Sequence, residues 1–118
     1  MDTGNQIQDK SEEMFPEQTR LERIKKYIDL NLSFDLSAAL VSKKFELSVS
    51  SLLHIFKKYE QQTYQHYLEN GRMKKAMELI KQGKWIQEIM DATGYKSRSA
   101  FYRAFKRIYK NSPRYFQK

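Results

Sequence analysis

The residues best suited to binding chemistry lie in two short segments, each of which begins with a serine and ends with a phenylalanine followed by two cations. In the second segment these residues are cationic, hydroxyl-bearing or aromatic: Arg98, Ser99, Tyr102, Arg103, Lys106 and Arg107. An arginine can donate two hydrogen bonds to the edge of guanine, and cations neutralise phosphates. The pattern therefore favours nucleic-acid binding.

The sequence favours neither catalysis nor metal binding. The two histidines, His54 and His66, fall on different predicted helices, and the chain has no cysteine. The usual spacings of metal ligands are therefore missing. No nucleophile paired with a base and no glycine-rich phosphate loop is visible. We expect a protein that is not an enzyme, with no catalytic residue, no metal and no cofactor.

The distribution of charge agrees with a polyanionic partner. The net charge is +8, but residues 1–20 carry −3, so the remaining 98 residues carry +11. A basic folded body suits nucleic acid or an anionic membrane surface, and a solvated lysine-rich surface is the plain alternative. No apolar run approaches the ~18 residues of a membrane span, and residues 1–10 do not resemble a secretory signal. We therefore expect a cytoplasmic protein with no membrane partner.

A helix-turn-helix would position the second segment. A helix over residues 85–93 is predicted to end at Gly94, because glycine tolerates the positive φ of a sharp turn. Ser97 can cap a helix over 98–109. The apolar face of that helix holds Phe101, Phe105 and Ile108. Trp85 is expected in the core, as apolar residues of such stripes usually are.

The rest of the chain is also predicted to be helical, so the fold class is all-α. Residues 1–18 are acidic and aperiodic and are interpreted as a flexible tail or linker. Thr19 and Glu22 can form a capping box for a first helix that ends near residue 30. Further helices are predicted over 36–45, 49–59, 63–82 and from Pro113. The helix over 49–59 is capped by Ser48, and its apolar face holds Val49, Leu52, Ile55, Phe56 and Tyr59.

The two segments belong to an internal repeat. Residues Ser48, Leu52, Phe56, Lys57 and Lys58 match Ser97, Phe101, Phe105, Lys106 and Arg107 at a constant offset of 49. Before the turn, Ala38, Val41 and Leu47 match Ile86, Ile89 and Tyr95 at an offset of 48, so the second copy has one more turn residue. The shared cap, core positions and paired cations argue against a chance match.

With these motifs the chain resembles the AraC/XylS family of bacterial transcription regulators over residues 24–116. The second unit carries Ile86-x-x-Ile89, Gly94-Tyr95, Ser97, Phe101, Phe105-Lys106-Arg107 and Ser112-Pro113-x-Tyr115. The first carries Leu36-Ser37, Ser48, Leu52, Phe56-Lys57-Lys58, Tyr67, Arg72 and Ala76. Glu46, Gln61 and Lys110 depart from the glycines usual in that family, and Met90 departs from its alanine. Asn111 could take over the left-handed turn from Lys110.

The resemblance implies a DNA-binding domain over 19–118 with seven helices in two helix-turn-helix subdomains. These subdomains lie at about 36–59 and 86–109 and are joined by a long linker helix at about 63–82. The resemblance further implies that helices 49–59 and 98–109 enter two adjacent major grooves of double-stranded DNA. Arg72 is then structural, paired with an acid or a helix end. RNA polymerase and a sensor domain in a longer chain stay open as further partners.

The family's functional positions carry over residue by residue. Base reading falls to Ser50, Leu53, His54, Arg98, Ser99, Tyr102 and Arg103, and phosphate contact to Ser48, Lys57, Lys58, Ser97, Lys106 and Arg107. For the two arginines, phosphate contact or simple solvation stays open as the alternative. Leu53 would contact a thymine methyl group or be an ordinary exposed leucine.

Two other classes of function stay open. One is a helical module that binds an acidic protein partner, and the other is a peripheral membrane or RNA-binding protein. The repeat favours DNA over a membrane, because a membrane binder needs one amphipathic helix and not two spaced units.

Overall fold

The computed structural model describes residues 16–117, and this part of the chain contains seven α-helices and no strand. The helices are α1 (Pro16–Leu30), α2 (Ala38–Lys44), α3 (Val49–Glu60), α4 (Tyr64–Lys81), α5 (Ile86–Thr93), α6 (Arg98–Tyr109) and α7 (Pro113–Phe116). The prediction of an all-α fold is confirmed. Among the described helices, none has both the length and the apolar character needed to cross a membrane.

Side-chain caps fix where four of these helices begin. The hydroxyl groups of Ser37, Ser48, Thr63 and Ser97 each accept a hydrogen bond from the backbone N–H three residues on, at 3.0–3.3 Å. Such a bond satisfies one of the N–H groups that a helix start leaves without a partner in the helix. The local sequence therefore fixes the starts of α2, α3, α4 and α6.

The first helix begins earlier than predicted. α1 starts at Pro16, so Thr19 lies inside the helix and the predicted capping box is wrong. Proline suits a first helical position, because its missing N–H would have no partner there in any case. Residues 16–18 therefore belong to the folded domain, and the rest of the predicted tail, 1–15, lies outside the described residues.

The second helix is shorter than the predicted range of 36–45. Leu36 lies before it, buried, and its carbonyl accepts a hydrogen bond from the Tyr64 hydroxyl at 2.7 Å. Phe45 is the C-terminal cap. Glu46 follows with a φ of 58°, which is left-handed backbone. The turn between α2 and α3 is therefore made without a glycine.

The described helices build two apolar cores that share α4. Leu21, Ile24 and Ile28 of α1 pack with residues of α2 and α3 in the first core, which also contains Tyr64 and Leu68 of α4. The second core contains Met73, Ala76 and Ile80 of α4 together with residues of α5 and α6. The predicted linker helix is therefore part of both cores rather than a spacer between them.

The repeat extends to a third helix in each unit. The buried stripe of α1, Leu21, Ile24 and Ile28, matches the buried stripe of α4, Met73, Ala76 and Ile80, at a constant offset of 52. We call α1–α3 unit 1 and α4–α6 unit 2, and the two units share α4 because its first turns, with Tyr64 and Leu68, also pack in the core of unit 1. Each unit is thus a three-helix bundle in which the last two helices form the helix-turn-helix.

Two expected core residues lie at the surface. Val49 is 41% exposed and Trp85 is 78% exposed, so both assignments to the core were wrong. Val49 is the first residue of α3 and lies at the edge of its apolar stripe. Trp85 precedes α5 at its N-terminal cap, where its backbone N–H donates to the carboxylate of Glu88 at 3.0 Å. A cap position lies outside the helical face that packs into the core.

Candidate nucleic-acid interface

One side of α6 is buried and the other is available for binding. Phe101, Ala104 and Phe105 lie in the second core, which orients the helix. The predicted residues on the remaining surface are all exposed: Arg98, Ser99, Tyr102, Arg103, Lys106 and Arg107. This surface carries cations, a hydroxyl group and an aromatic ring, which are the groups that proteins use to contact bases and phosphates.

Five of the six predicted residues of α6 line two separate grooves, and Ser99 lies outside both. Tyr102, Arg103, Lys106 and Arg107 line one shallow groove. Arg98 lies in a separate groove near the start of α5, which is also lined by Lys84, Trp85, Ile86 and Gln87. Sequence reasoning missed this neighbourhood because it assigned Trp85 to the core. The exposed Trp85 lines this groove together with Lys84 and Arg98, so the candidate interface extends beyond α6.

The exposed face of α3 is less basic than that of α6. Leu52, Ile55 and Phe56 are buried, and the predicted interface residues of this helix are exposed: Ser50, Leu53, His54, Lys57 and Lys58. Leu53 is 43% exposed and matches Tyr102, 37% exposed, at the repeat offset of 49. Both helices therefore present an apolar or aromatic side chain at the same place.

The two capping serines have defined local partners. Besides accepting from the Ser51 N–H at 3.1 Å, the Ser48 hydroxyl donates to the Ser51 hydroxyl at 2.9 Å. The Ser97 hydroxyl accepts from the Ala100 N–H at 3.2 Å. Their predicted capping role is confirmed, and their phosphate contact stays a prediction.

The second cation of each Phe-basic-basic motif is held by an acid from the first helix of its own unit. Lys58 pairs with Glu17 of α1 at 3.3 Å, and Arg107 pairs with Glu69 of α4 through both its Nε and its Nη2 atoms. The acids are 52 residues apart, which is also the offset between the apolar stripes of α1 and α4. The ion pair is therefore a repeated feature of the two units.

The electrostatics of Glu17 reflect this contact. The Lys58 ammonium and then the Tyr59 hydroxyl, which donates at 3.1 Å, hold the pKa of Glu17 below its usual value. Sequence reasoning missed both acids because each lies on a helix distant in the chain from its cation. The constant offset of 52 was the available signal.

Among residues 16–117, Arg72 pairs with a loop carbonyl and with no acid or helix end, so that prediction was wrong. Its Nη2 donates to the carbonyl of Phe34, in the connection between α1 and α2, at 2.9 Å. Its guanidinium lies 5.9 Å from the centre of the Tyr95 ring, in the turn of unit 2. Burial lowers the pKa of Arg72. Arg72 therefore contacts both units from α4.

The residues that stand where the AraC/XylS family usually has glycine adopt the left-handed conformation. Gln61 has a φ of 55° and Lys110 a φ of 68°, and they are the C-terminal caps of α3 and α6. Lys110 itself takes the left-handed conformation, so Asn111 does not replace it in that role. His54 and His66 lie on α3 and α4, and residues 16–117 contain no group of three or more metal-ligating side chains that could hold an ion.

Comparison with known proteins identifies relatives of both the sequence and the fold. A family model described as a helix-turn-helix domain matches residues 41–118. The Msm operon regulatory protein of Streptococcus mutans is 33% identical over 97 residues, covering 81% of this chain. The match covers 35% of that protein, so the chain spans about a third of the length of the curated relatives it matches.

Two solved structures show the same fold. The C-terminal domain of AraT, a response regulator from Geobacillus stearothermophilus, superposes with a TM-score of 0.80 at 29% identity and covers 83% of each chain. A transcriptional regulator from Chromobacterium violaceum, described as a protein with an AraC-type DNA-binding domain, superposes with a TM-score of 0.75 at 25% identity. The match covers 85% of this chain and 90% of that protein.

Proposed function

The chain belongs to the AraC/XylS family of helix-turn-helix transcription regulators, and from this premise we propose that it reads two adjacent major grooves of double-stranded DNA. In this proposal α3 enters one groove and α6 the next. The observation that carries it is the repeat of two Ser-capped helices whose core faces are buried and whose opposite faces are exposed and basic.

The dimensions of the molecule support reading by both helices. α4 has 18 residues, which corresponds to about 27 Å at a rise of 1.5 Å per residue. The described chain is 55 Å along its longest axis, and successive major grooves on one face of DNA lie about 34 Å apart. A single chain is therefore long enough to span both grooves.

The side chains divide into two proposed roles. Base reading falls to Ser50, Leu53 and His54 on α3 and to Arg98, Ser99, Tyr102 and Arg103 on α6. An arginine suits the O6 and N7 atoms of guanine, and an apolar or aromatic side chain suits a thymine methyl group. Phosphate contact falls to Lys57, Lys58, Lys106, Arg107 and the N-terminal ends of the helices capped by Ser48 and Ser97.

Selection of bound duplexes from a random DNA pool tests the proposal as a whole. We expect a motif of two parts whose centres lie about one helical turn, roughly 10 base pairs, apart. The selected duplex should bind more tightly than random duplex or single-stranded DNA at about 0.15 M salt. Equal affinity for all three would contradict sequence-specific binding, and a motif of one part would contradict reading by two helices.

A pair of substitutions on α6 separates base reading from phosphate contact. Arg103→Ala should relax discrimination at one base position at a cost of about 1–3 kcal/mol. Lys106→Ala should weaken binding to every sequence alike and reduce the salt dependence by about one counterion. If Arg103→Ala lowers specific and non-specific binding equally, Arg103 contacts phosphate only.

The remaining parts of a complete regulator stay proposals. Because the chain spans about a third of its curated relatives, we propose that it acts together with a sensor domain in a longer protein. The similar domain of AraT belongs to a response regulator, which agrees with this arrangement. Contact with RNA polymerase is a further proposal, to be tested by transcription from a promoter that carries the selected motif.

A further inference from the structure

The connection between α1 and α2 lies directly against the turn of unit 2. The Leu32 carbonyl approaches Gly94 so closely that a Cβ atom at residue 94 would be 2.7 Å from it. The Leu32 side chain packs against α4, because a Cβ atom added to Gly71 of α4 would be 3.7 Å from Leu32 Cδ2. The connection is therefore packed between α4 and the α5–α6 turn.

Arg72 holds this junction from α4. Its Nη2 donates to the Phe34 carbonyl at 2.9 Å, and its guanidinium lies over the Tyr95 ring at 5.9 Å. The same Nη2 would be 3.1 Å from a Cβ atom at Gly94. One planar group thus contacts the first unit through a carbonyl and the second through an aromatic ring, two contacts that a guanidinium can make at once and an ammonium cannot match.

The acceptor of Arg72 is fixed within unit 1. The Phe34 N–H donates to the Asn31 carbonyl at 3.0 Å, and the Asn31 side chain donates to the Tyr27 carbonyl at 2.7 Å. Beyond Phe34, the Asp35 carboxylate accepts from the Ser37 N–H at the start of α2 at 3.0 Å. The Phe34 carbonyl is thereby tied to the end of α1 and the start of α2, so moving it moves both helices.

We propose that Arg72 is a positioning residue that sets the angle between the two units and so determines which spacing between two DNA half-sites is accepted. Because α4 packs in both cores, it sets the separation and the approximate rotation of the units. A helix also bends, however, so holding the angle within a narrow range needs a second contact away from its axis. The Arg72 junction is that contact. The inference rests on the proposed function for its DNA consequence, and its structural part can be tested without DNA.

The structural part is tested by a distance between spin labels on the two units. The chain has no cysteine, so Ala39→Cys on α2 and Gln87→Cys on α5, both exposed, give one labelled site in each unit. We expect a narrow distance distribution for the doubly labelled protein and a broader one when Arg72→Met is added. Arg72→Lys keeps the charge and should restore the distribution only in part. Lys74→Met, which removes an exposed cation from α4, is the matched control and should leave it narrow.

The functional part is tested by the spacing of the half-sites. One base pair inserted between the two halves rotates one half by about 34° relative to the other and moves it by about 3.4 Å. For the unsubstituted chain we expect a loss of affinity of about tenfold or more, because one half then loses its groove contacts. Arg72→Met should bind the original duplex less tightly and lose less than the unsubstituted chain on insertion. Its affinity for the isolated half-site read by α6 should be unchanged.

The outcomes separate the inference from the proposed function. A distance distribution as narrow in Arg72→Met as in the unsubstituted chain, or an unchanged ratio of affinities for the two spacings, overturns the role of Arg72. If Arg72→Met does not unfold in a cooperative thermal transition, both measurements are made on Arg72→Lys and are judged by the same two criteria. If the unsubstituted chain has no preferred duplex, the proposed function fails while the spin-label distances still decide whether Arg72 fixes the angle.

Discussion

Units 1 and 2 have the same scaffold and different binding faces. Both have a Ser-capped second helix of the helix-turn-helix, a buried stripe at matching positions and an acid that pairs with the last cation of the Phe-basic-basic motif. The exposed faces differ where Val49, Leu53 and His54 in unit 1 correspond to Arg98, Tyr102 and Arg103 in unit 2. The comparison indicates that packing and capping constrain the scaffold, whereas the exposed face varies, so we expect the two half-sites to differ in sequence.

The turns of the two helix-turn-helix motifs each contain a left-handed residue, but they differ in whether that residue must be glycine. Glu46 and Gly94 occupy matching positions, with φ values of 58° and 78°. At Gly94 a side chain would also meet the Leu32 carbonyl at 2.7 Å, whereas Glu46 is exposed. Unit 1 therefore tolerates the strain of a non-glycine residue, and unit 2 needs glycine for space as well as for φ. The extra turn residue of unit 2 is Lys96, between Tyr95 and the Ser97 cap.

The largest effect should come from separating the two units within their shared helix. One alanine inserted after Asn70 lies between Leu68 of the first core and Met73 of the second, and it rotates unit 2 by about 100°. We expect both cores to remain folded and binding to the two-part site to fall by about 100-fold or more, the loss of at least one good base contact pair. Thermal unfolding and footprinting measure the two quantities.

An insertion in the second half of α4 is the control for this prediction. After Glu78 the added residue separates Ile80 from Met73 and Ala76 within one core, so unit 2 itself should lose stability. Unchanged affinity of the Asn70 insertion for the two-part site would show that α4 does not set the relation of the two units.

The next effect compares the matched base-reading positions. Arg103→Ala should cost about 1–3 kcal/mol in binding to the selected duplex, because a bidentate guanine contact is lost. His54→Ala, at the equivalent position of unit 1, should cost less, because a histidine can make only one hydrogen bond to a base where an arginine makes two. Titrations on duplexes with each half-site altered in turn measure both costs. A larger loss for His54→Ala would contradict this expectation and show that unit 1 contributes more to base recognition than unit 2.

A smaller effect concerns the matched C-terminal caps of the reading helices. Replacing Gln61 or Lys110 by glycine should stabilise the protein by about 1 kcal/mol each, because glycine adopts a positive φ without the steric cost that other residues incur. Gly94→Ala is the opposite case and should destabilise, since its Cβ atom meets the Leu32 carbonyl. Chemical denaturation provides the free energies of unfolding. A stabilising Gly94→Ala would contradict the described contact between the two units.

The smallest effect tests the repeated ion pair. Glu17→Gln and Glu69→Gln each release one cation, Lys58 or Arg107, from an acid that competes with DNA phosphate. We expect slightly tighter binding to any duplex and a salt dependence steeper by about one counterion in each variant. The two variants should behave alike, because the pairs are equivalent in the repeat. An unchanged salt dependence would mean that these cations lie away from the DNA backbone.

Features set by local chemistry were predictable from the sequence. The caps Ser48 and Ser97, the break at Gly94 and the bounds of α6 all depend on residues within a few positions of one another. The repeat was visible at offsets of 48 and 49 because equivalent core and cap positions require similar residue types. The all-α fold and the family followed from these local patterns. Which residues of α3 and α6 contact bases stays a prediction.

Features that depend on contacts between distant residues were decided only by the tertiary structure. Periodicity did not reveal that α1 reaches back to Pro16, where Glu17 meets Lys58, or that Trp85 is exposed. The family resemblance also predicted the wrong kind of partner for Arg72, whose hydrogen bond to Phe34 spans 38 residues. A helical stripe identifies which face is buried, but not which element buries it. The sharing of α4 between two cores and the junction at Arg72 arise from how the helices pack, which local propensity does not encode.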